Sequence, residues 1–289
     1  MKEKVKLYGS VLILLLFVPW LLTVYLHGGM TGFSSVLEED EQLEERVVCV
    51  LASEIPADYE MECLKAQAVI ARTNLCREGE DGETGWDEAA MREAWGEDYD
   101  QNLEGIRTAV SETSGEVLTF EGELIYAAYH TACNAKTRNA AEVPGQEAYA
   151  YLQSVESVDD ILADGFLYVG YMKKTEFAEA LAELFPDEEI DADQLPDALQ
   201  IIERDAADYV TRVQVGATVA NGEAVRDALG LSSACFYFSE LDGKIRIVTK
   251  GIGHGLGFSQ YGAQQLAEQG YSCAELLQYY YTGVEIGSR

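Results

Sequence analysis

Basic residues are scarce in this sequence. Its 289 residues include 20 Lys and Arg against 51 Asp and Glu, which gives a formal net charge of −31. A protein that binds phosphate backbones needs a basic surface, so this charge excludes nucleic acid as a partner. It also argues against a polyanionic surface as the main docking site, whereas a mostly neutral glycan remains compatible. A solvated acidic surface that keeps the domain soluble accounts for most of the charge.

Motifs for metal binding and nucleophilic catalysis are also lacking. The six cysteines form no Cys-x-x-Cys pair, and His130 with Cys133 is the one local pair that could begin a metal site. A structural zinc needs four ligands, so the sequence predicts no metal and no other cofactor. Ser259 lacks the Gly-x-Ser-x-Gly elbow of a hydrolase. In an oxidising compartment six cysteines permit disulfides, although Cys49, Cys63 and Cys273 lie in apolar patterns that suit buried thiols equally well.

One long apolar run, residues 8–26, lies near the N-terminus and follows Lys2, Lys4 and Lys6. At about 1.5 Å per residue it approaches the roughly 30 Å of a bilayer core. A cleavable signal peptide is the alternative, but the run is longer than a usual h-region and no small-x-small site follows it. The lysines predict a cytoplasmic N-terminus. We therefore expect a single-pass protein of the cell membrane, with a cytoplasmic tail at 1–7, an anchor at 8–26, a linker at 27–44 and an extracytoplasmic domain at 45–289.

The domain mixes two periodicities, which predicts a single α+β unit. Helical patterns cover 86–99, 102–113, 171–185, 221–231 and 260–281, the last with a break at Gly270. Strand patterns cover a hairpin at 117–129 and the segments 148–158, 208–217, 234–240 and 244–249.

The segment 49–74, CVLASEIPADYEMECLKAQAVIARTN, places a carboxylate at a turn. The apolar run 47–51 is short enough for a strand, although periodicity does not decide between strand and helix. Pro56 favours extended geometry at Ile55, which separates Glu54 from the helix that follows. The sequence therefore predicts Glu54 at a rigid turn.

The helix after this turn carries an apolar stripe through Met61, Leu64, Ala68 and Ala71. Asp58 is a suitable N-cap for it. Three polar side chains fall mostly off the stripe: Lys65, Gln67 and Arg72. On composition alone Glu54 is a solvated loop acid, and the polar face of the helix gives it neighbours without assigning it a role.

A second notable stretch, residues 251–263, reads GIGHGLGFSQYGA. Its glycines permit a tight turn into the last helical region but do not form a nucleotide-binding fingerprint. A tight turn explains the glycines but not the polar residues of this stretch, which are His254, Ser259, Gln260 and Tyr261. These residues lie at a turn and at the start of a helix, where their side chains suit hydrogen bonding to a sugar.

Both stretches resemble the two signatures of the stage II sporulation protein D family, which also includes the amidase-enhancer proteins. They occur in the expected order, about two hundred residues apart, and the resemblance covers roughly residues 45–286. His130 and the segment 136–138 match the family pattern after the hairpin, although a strand-end imidazole without a functional role explains His130 equally well.

The resemblance implies a lytic transglycosylase that cleaves peptidoglycan glycan strands during engulfment in endospore formation. Glu54 matches the family's catalytic glutamate and would protonate the glycosidic oxygen while the muramic acid C6 hydroxyl closes a 1,6-anhydro ring. The implied substrate-binding residues are Lys65, Gln67, Arg72, His130, His254, Ser259, Gln260 and Tyr261. Expected partners are a peptidoglycan amidase or endopeptidase and membrane proteins of the engulfment machinery. The alternative is a non-catalytic peptidoglycan binder that enhances an amidase, but a pure binder has no need of Glu54.

Overall fold

The described chain is mainly helical up to residue 112 and then alternates between strands and helices. This computed structural model describes residues 40–79 and 82–289. Residues 40–54 are helical and are called α1. The helices that follow are α2 (Met61–Glu78), α3 (Glu88–Trp95), α4 (Tyr99–Glu112), α5 (Lys174–Leu181), α6 (Gly222–Ala228), α7 (Gln260–Glu268) and α8 (Cys273–Tyr280).

The strands of the described residues form small sheets. They are β1 (Glu116–Phe120), β2 (Glu123–Leu124), β3 (Tyr129–His130), β4 (Leu167–Lys173), β5 (Gln200–Arg204), β6 (Val210–Val215), β7 (Thr218–Asn221), β8 (Phe236–Leu241), β9 (Lys244–Lys250), β10 (Phe258–Ser259) and β11 (Glu285–Ser288). The sheet orders are β11-β1-β2, β10-β3, β4-β9-β8 and β5-β6-β7. The β3–β10 pair is parallel and the other pairs are antiparallel. This mixture confirms the predicted α+β class.

Helix α2 is the centre of the first core. It packs against α4, β1, α7 and α8, and Ala66, Ala68, Val69 and Ile70 are fully buried along it. Because it is covered on several sides, α2 buries more of its circumference than the predicted stripe. Burial of apolar surface stabilises a fold by about 25 cal/mol per Å².

A second apolar core lies between α5, α6 and the strands β6, β8 and β9. Phe177, Tyr209, Val213, Phe236 and Ile245 are completely buried there. The ring of Phe177 meets that of Phe238 edge-on with centroids 5.0 Å apart, a favoured aromatic geometry.

Several local predictions are confirmed. Asn221 caps α6 and accepts a hydrogen bond from the Glu223 N–H. The predicted break at Gly270 separates α7 from α8, and Ser272 begins α8 with a reciprocal capping box to Glu275. The predicted strands at 208–217, 234–240 and 244–249 correspond to β6, β8 and β9.

Residues 47–51, for which periodicity did not decide between strand and helix, are helical within α1. The next two local predictions are wrong. Glu60, not Asp58, is the N-cap of α2, and its side chain makes no capping hydrogen bond. Residues 171–173 belong to β4, because their backbone pairs with β9, and α5 begins only at Lys174.

The predicted hairpin and the strand after it also need correction. The hairpin pairs through Leu124, and the Ile125 N–H still bonds to the Leu118 carbonyl. The pairing then ends, because the backbone of Tyr126 and Ala127 bonds to side chains instead. Asn74 bonds both the N–H and the carbonyl of Ala127, and Tyr151 does the same for Tyr126. The predicted strand at 148–158 is irregular, with turns and one isolated bridge between Lys136 and Glu156.

Residues 47–289 form one compact unit. The predicted tail, the anchor and residues 27–39 of the linker lie outside the described residues, whereas 40–44 are helical. Among residues 40–79 and 82–289, no helix has both the length and the apolar character needed to cross a membrane.

Candidate active site

Glu54 is the last residue of α1. The helix runs through Glu54 from its N-terminal side, and Pro56 separates it from α2, so the predicted turn begins one residue later than expected. The Ile55 N–H still reaches back to the Leu51 carbonyl at 3.4 Å. Glu54 is therefore held by a helix on one side and by a proline turn on the other.

The carboxyl of Glu54 accepts two hydrogen bonds. The hydroxyl of Tyr129 donates to Oε1 at 2.5 Å, and Nε2 of Gln67 donates to Oε2 at 2.8 Å. The Gln260 side chain donates to the Glu54 backbone carbonyl at 2.8 Å. Since these partners come from β3, α2 and α7, tertiary structure fixes both the main chain and the carboxyl of this residue.

The pKa of Glu54 is raised from 4.5 to about 7. Burial is the main cause, and the nearby Glu83 carboxyl adds to it, because a second negative charge disfavours ionisation. The hydrogen bonds from Tyr129 and Gln67 act in the opposite direction. The result is a carboxyl that is present in both protonation states near neutral pH, which suits a group that must both give and take a proton.

Parallel pairing of β3 with β10 brings the second signature to Glu54. Phe258 pairs with Tyr129, and Ser259 pairs with His130. Gly257, at φ +67°, makes this approach possible, because a Cβ at that position would overlap the carbonyl oxygen of Ala128.

A cavity of about 280 Å³ opens beside Glu54. Its lining residues are Val50, Glu54, Ala71, Asn74, Leu75, Glu78, Glu83, Tyr126, Ala127, Tyr129 and His254. Nδ1 of His254 accepts a hydrogen bond from the Leu256 N–H at 3.0 Å. Burial lowers the pKa of His254 to about 4, so its imidazole is neutral at physiological pH.

A smaller cavity of about 130 Å³ shares Tyr126 and His254 with the first. Arg138, Gln146 and Glu223 also line it. The ring of Tyr126 lies 5.5 Å from that of Tyr149, and the Arg77 guanidinium lies 5.6 Å from its centre. The two cavities therefore adjoin at an aromatic ring and an imidazole.

His130 lies behind the cavity in a buried polar cluster. Its Nδ1 is 3.0 Å from the Leu256 carbonyl, and burial lowers its pKa to about 3. Candidate ligand atoms of His130, Cys133 and Asp160 lie within 4.8 Å of one another. Asp160 already accepts hydrogen bonds from the Cys133 N–H and from the hydroxyls of Ser157 and Ser259. Three ligands are one short of a structural zinc site, and Asp160 is engaged by the protein.

The structure places the remaining predicted site residues in different surroundings. Gln67 and Gln260 contact Glu54, and His254 lines its cavity, whereas Ser259 is buried against Asp160 and caps α7. Tyr261 is half-buried at the start of α7 and does not line the cavity.

Lys65 and Arg72, two of the predicted substrate-binding residues, do not line the cavity. Lys65 pairs with Glu62 and Glu112. Arg72 is fully buried and donates to the carbonyls of Val110 and Glu116. Of the predicted polar residues of α2, only Gln67 contacts Glu54. A helix that is buried on several sides presents only part of its polar surface to any one site.

Sequence reasoning missed Tyr129 and Glu83 as neighbours of Glu54. Tyr129 precedes His130 in the predicted hairpin, and its alternation with buried residues marks it only as a strand position. Glu83 lies in a loop rich in Glu, Asp and Gly, where one acid cannot be told from another. Only the fold brings these two side chains to Glu54.

Comparison with known proteins gives consistent results. The family model described as "Stage II sporulation protein" matches residues 36–120. Stage II sporulation protein D of Bacillus amyloliquefaciens is 34% identical over 265 residues, covering 86% of this chain and 75% of the relative. The protein of that name from Bacillus subtilis is 31% identical over the same coverage. The amidase enhancer of Bacillus subtilis is 25% identical over 286 residues, covering 83% of this chain but 40% of the enhancer.

Proposed function

The chain belongs to the stage II sporulation protein D family, whose named members act in sporulation, and from this premise we propose that it is a peptidoglycan lytic transglycosylase. It would cleave glycan strands during engulfment and leave 1,6-anhydro-muramic ends. The observation that carries the proposal is the Glu54 carboxyl, which two donors orient at a cavity and whose pKa is raised to about 7.

A single carboxyl can perform both halves of this reaction. Protonated Glu54 gives its proton to the glycosidic oxygen as the bond from that oxygen to the muramic C1 breaks. The muramic C6 hydroxyl oxygen bonds to C1, and its proton passes to the Glu54 carboxylate, which restores the acid. No water is consumed, so the reaction needs no second carboxylate to activate one.

The neighbours of Glu54 suit these two roles. Burial and the Glu83 charge keep the carboxyl protonated for the first step. Tyr129 and Gln67 donate hydrogen bonds that favour the carboxylate formed in that step. Opposed influences of this kind hold a group near the operating pH, where general acid–base catalysis is most efficient.

The two cavities offer room for sugars on either side of the scissile bond. Tyr126, shared by both, presents an aromatic ring of the kind that packs against the apolar face of a sugar. His254, also shared and neutral, presents an uncharged imidazole ring whose Nδ1 is held by the Leu256 N–H. The two adjoining cavities thus suit a glycan strand more than a compact small molecule.

Membrane attachment and partners are part of the same proposal. Residues 8–26 would anchor the chain with the domain outside the cytoplasm, so that protease treatment of intact spheroplasts should remove everything after residue 26. Protection of the domain would contradict this topology. A cell-wall amidase is the partner suggested by the relative named amidase enhancer.

That relative also supports a second candidate function, a peptidoglycan-binding protein that enhances an amidase without cleaving glycan itself. The two functions differ at Glu54. A binder gains nothing from a carboxyl whose ionisation is disfavoured by burial, whereas an acid catalyst requires one.

Digestion of purified glycan strands tests the proposal. Mass spectrometry should find ends lighter by one water than hydrolysed ends, the signature of an anhydro product. Glu54→Gln keeps the shape and one acceptor oxygen for Tyr129 or Gln67 but cannot deliver a proton, so turnover should fall by at least about 10²–10⁴-fold. The exposed Glu60, at the start of α2, provides the matched control, and Glu60→Gln should cleave normally.

The products separate the possible outcomes. Hydrolysed ends would show that the protein is a hydrolytic glycosidase and not a transglycosylase, with Glu83 as the candidate second carboxylate. Absence of cleavage by the wild type, together with retained glycan binding and amidase stimulation, would leave the enhancer function. Full cleavage by folded Glu54→Gln would remove Glu54 from the mechanism.

A further inference from the structure

The outer face of the β4-β9-β8 sheet is unusual for so acidic a protein. Residues directly opposite in antiparallel strands share a face, and the burial of Ile245, Ile247 and Thr249 identifies the inner one. The outer positions, here called the β9 face, are Leu167, Val169, Tyr171, Lys173, Tyr237, Ser239, Leu241, Lys244, Arg246, Val248 and Lys250. In this part of the described chain the face combines apolar and basic residues and contains no acid, although the whole chain carries a net charge of −31.

The basic groups of this face are only partly neutralised. Lys173 pairs with Glu176 on α5, and Asp208 at the rim accepts a hydrogen bond from Tyr237. Within the described residues, Arg246 and Lys250 form no ion pair, and Lys250 lies 5.0 Å from the centre of the Tyr237 ring. The surface therefore retains positive charge next to apolar side chains.

Strand β4 leaves one of its backbone edges unpaired, because it lies at the end of the sheet order β4-β9-β8. Its side chains are also uncovered: Leu167 is 59% exposed, Tyr168 53% and Tyr171 55%. A long, apolar edge strand is a template for another strand to pair with. In known cases of strand addition, main-chain hydrogen bonds supply affinity and alternate side chains supply specificity.

We infer that β4 and the β9 face form a docking site for an extended segment of a partner protein that alternates acidic and apolar residues. The segment adds to the free edge of β4. Because β9 lies one strand further in, about 9–10 Å from the added strand, the outward acids of the segment attract the long side chains of Arg246 and Lys250 across β4. A second copy of this chain is a poorer occupant, because two strongly acidic chains repel each other. Charge complementarity with the basic residues of the β9 face therefore favours a short acidic segment of another protein. This site is separate from the Glu54 cavity and does not depend on the proposed reaction.

Fluorescence anisotropy with the full chain in detergent tests the inference. The probe is a labelled eight-residue peptide of alternating Val and Glu. Arg246→Glu should weaken its binding about tenfold, since an attractive charge becomes a repulsive one. Arg212→Glu is the matched control, because Arg212 is an exposed arginine on β6, outside the face, and should bind the probe as the wild type does. Added salt should weaken binding to the wild type.

Hydrogen exchange locates the contact. Binding of the acidic peptide should slow amide exchange within residues 167–173, and a version of the peptide methylated on its backbone nitrogens should not. If Arg246→Glu does not fold, Lys250→Glu provides the same comparison. The inference would be overturned if a Val–Lys peptide bound equally well, if Arg246→Glu and Arg212→Glu had equal effects, or if the protected amides lay away from β4. It would also be overturned if β4 became protected as the concentration of the protein alone was raised, which indicates self-association. The same holds if protection of β4 required anionic lipid vesicles.

Discussion

The cavity around Glu54 and the apolar core around Phe177 lie in the same compact unit but bury different kinds of side chain. Around the cavity, the fold buries polar side chains such as Gln67, His130 and Asp160. Around Phe177, the fold buries a large cluster of hydrocarbon and aromatic side chains. The first arrangement costs desolvation that hydrogen bonds must offset, whereas the second stabilises the fold directly.

This difference separates the source of stability from the source of chemistry. The buried polar groups near Glu54 contribute little to the free energy of unfolding, because each of their hydrogen bonds replaces one to water. They limit which geometries the site can adopt, which is what a catalytic carboxyl requires. We therefore expect substitutions in the two regions to affect stability and activity in opposite proportions.

The largest expected stability effect belongs to the apolar core. Phe177→Ala removes a fully buried ring and should lower the free energy of unfolding by about 3–5 kcal/mol. Urea unfolding measures this loss. Activity per folded molecule should stay normal at low temperature, and a selective loss of activity would contradict the separation of the two regions.

A substitution of Glu54 in the cavity should increase the stability of the fold at alkaline pH, which is the opposite of the effect expected in the apolar core. The native pKa of Glu54 is about 7 against 4.5 for the unfolded chain, so the native state binds more protons between these values and its stability falls as pH rises through them. Glu54→Gln lacks this loss. Between pH 4 and pH 8 the free energy of unfolding of this variant should therefore rise by about 3 kcal/mol relative to that of the wild type. Thermal unfolding at both pH values measures the difference, and an equal effect at the two would show that Glu54 ionises normally.

Tyr129→Phe should act mainly on chemistry. It removes one donor to the charged form of Glu54, so the pKa of Glu54 rises and the alkaline limb of the pH–rate profile moves to higher pH. Loss of a hydrogen bond to a charged group should lower turnover at optimal pH about tenfold or more. A change in rate without any shift of the profile would argue that Tyr129 contacts the substrate rather than positioning Glu54.

The smallest effect is expected for Glu83→Gln. Removing this charge lowers the pKa of Glu54, so the alkaline limb should move to lower pH, and by less than the opposite shift in Tyr129→Phe. Glu104→Gln, at an exposed position on α4, is the control and should leave the profile unchanged. Complete loss of activity in folded Glu83→Gln would assign this carboxyl a direct part in the reaction.

Several elements of the fold could be predicted because their signals are local. Asn221 caps α6, Gly270 separates α7 from α8, and the alternation in 244–249 marks β9, each within a few residues of sequence. The apolar run 47–51 could not be assigned from the sequence, because a short buried segment suits a strand and a helix equally. Its neighbours in space, rather than its own pattern, make it helical.

For the candidate site, the sequence by itself determined that Glu54 stands before a proline turn and that two polar motifs lie far apart in the chain. Only the tertiary structure decided that Tyr129 and Gln67 bond the Glu54 carboxyl, that Glu83 lies near it, and that Lys65 and Arg72 point elsewhere. The reason is physical: turns and caps depend on torsion angles and hydrogen bonds between near neighbours. Contacts across α2, β3 and β10 depend on how whole elements pack, and no short stretch of sequence contains that information.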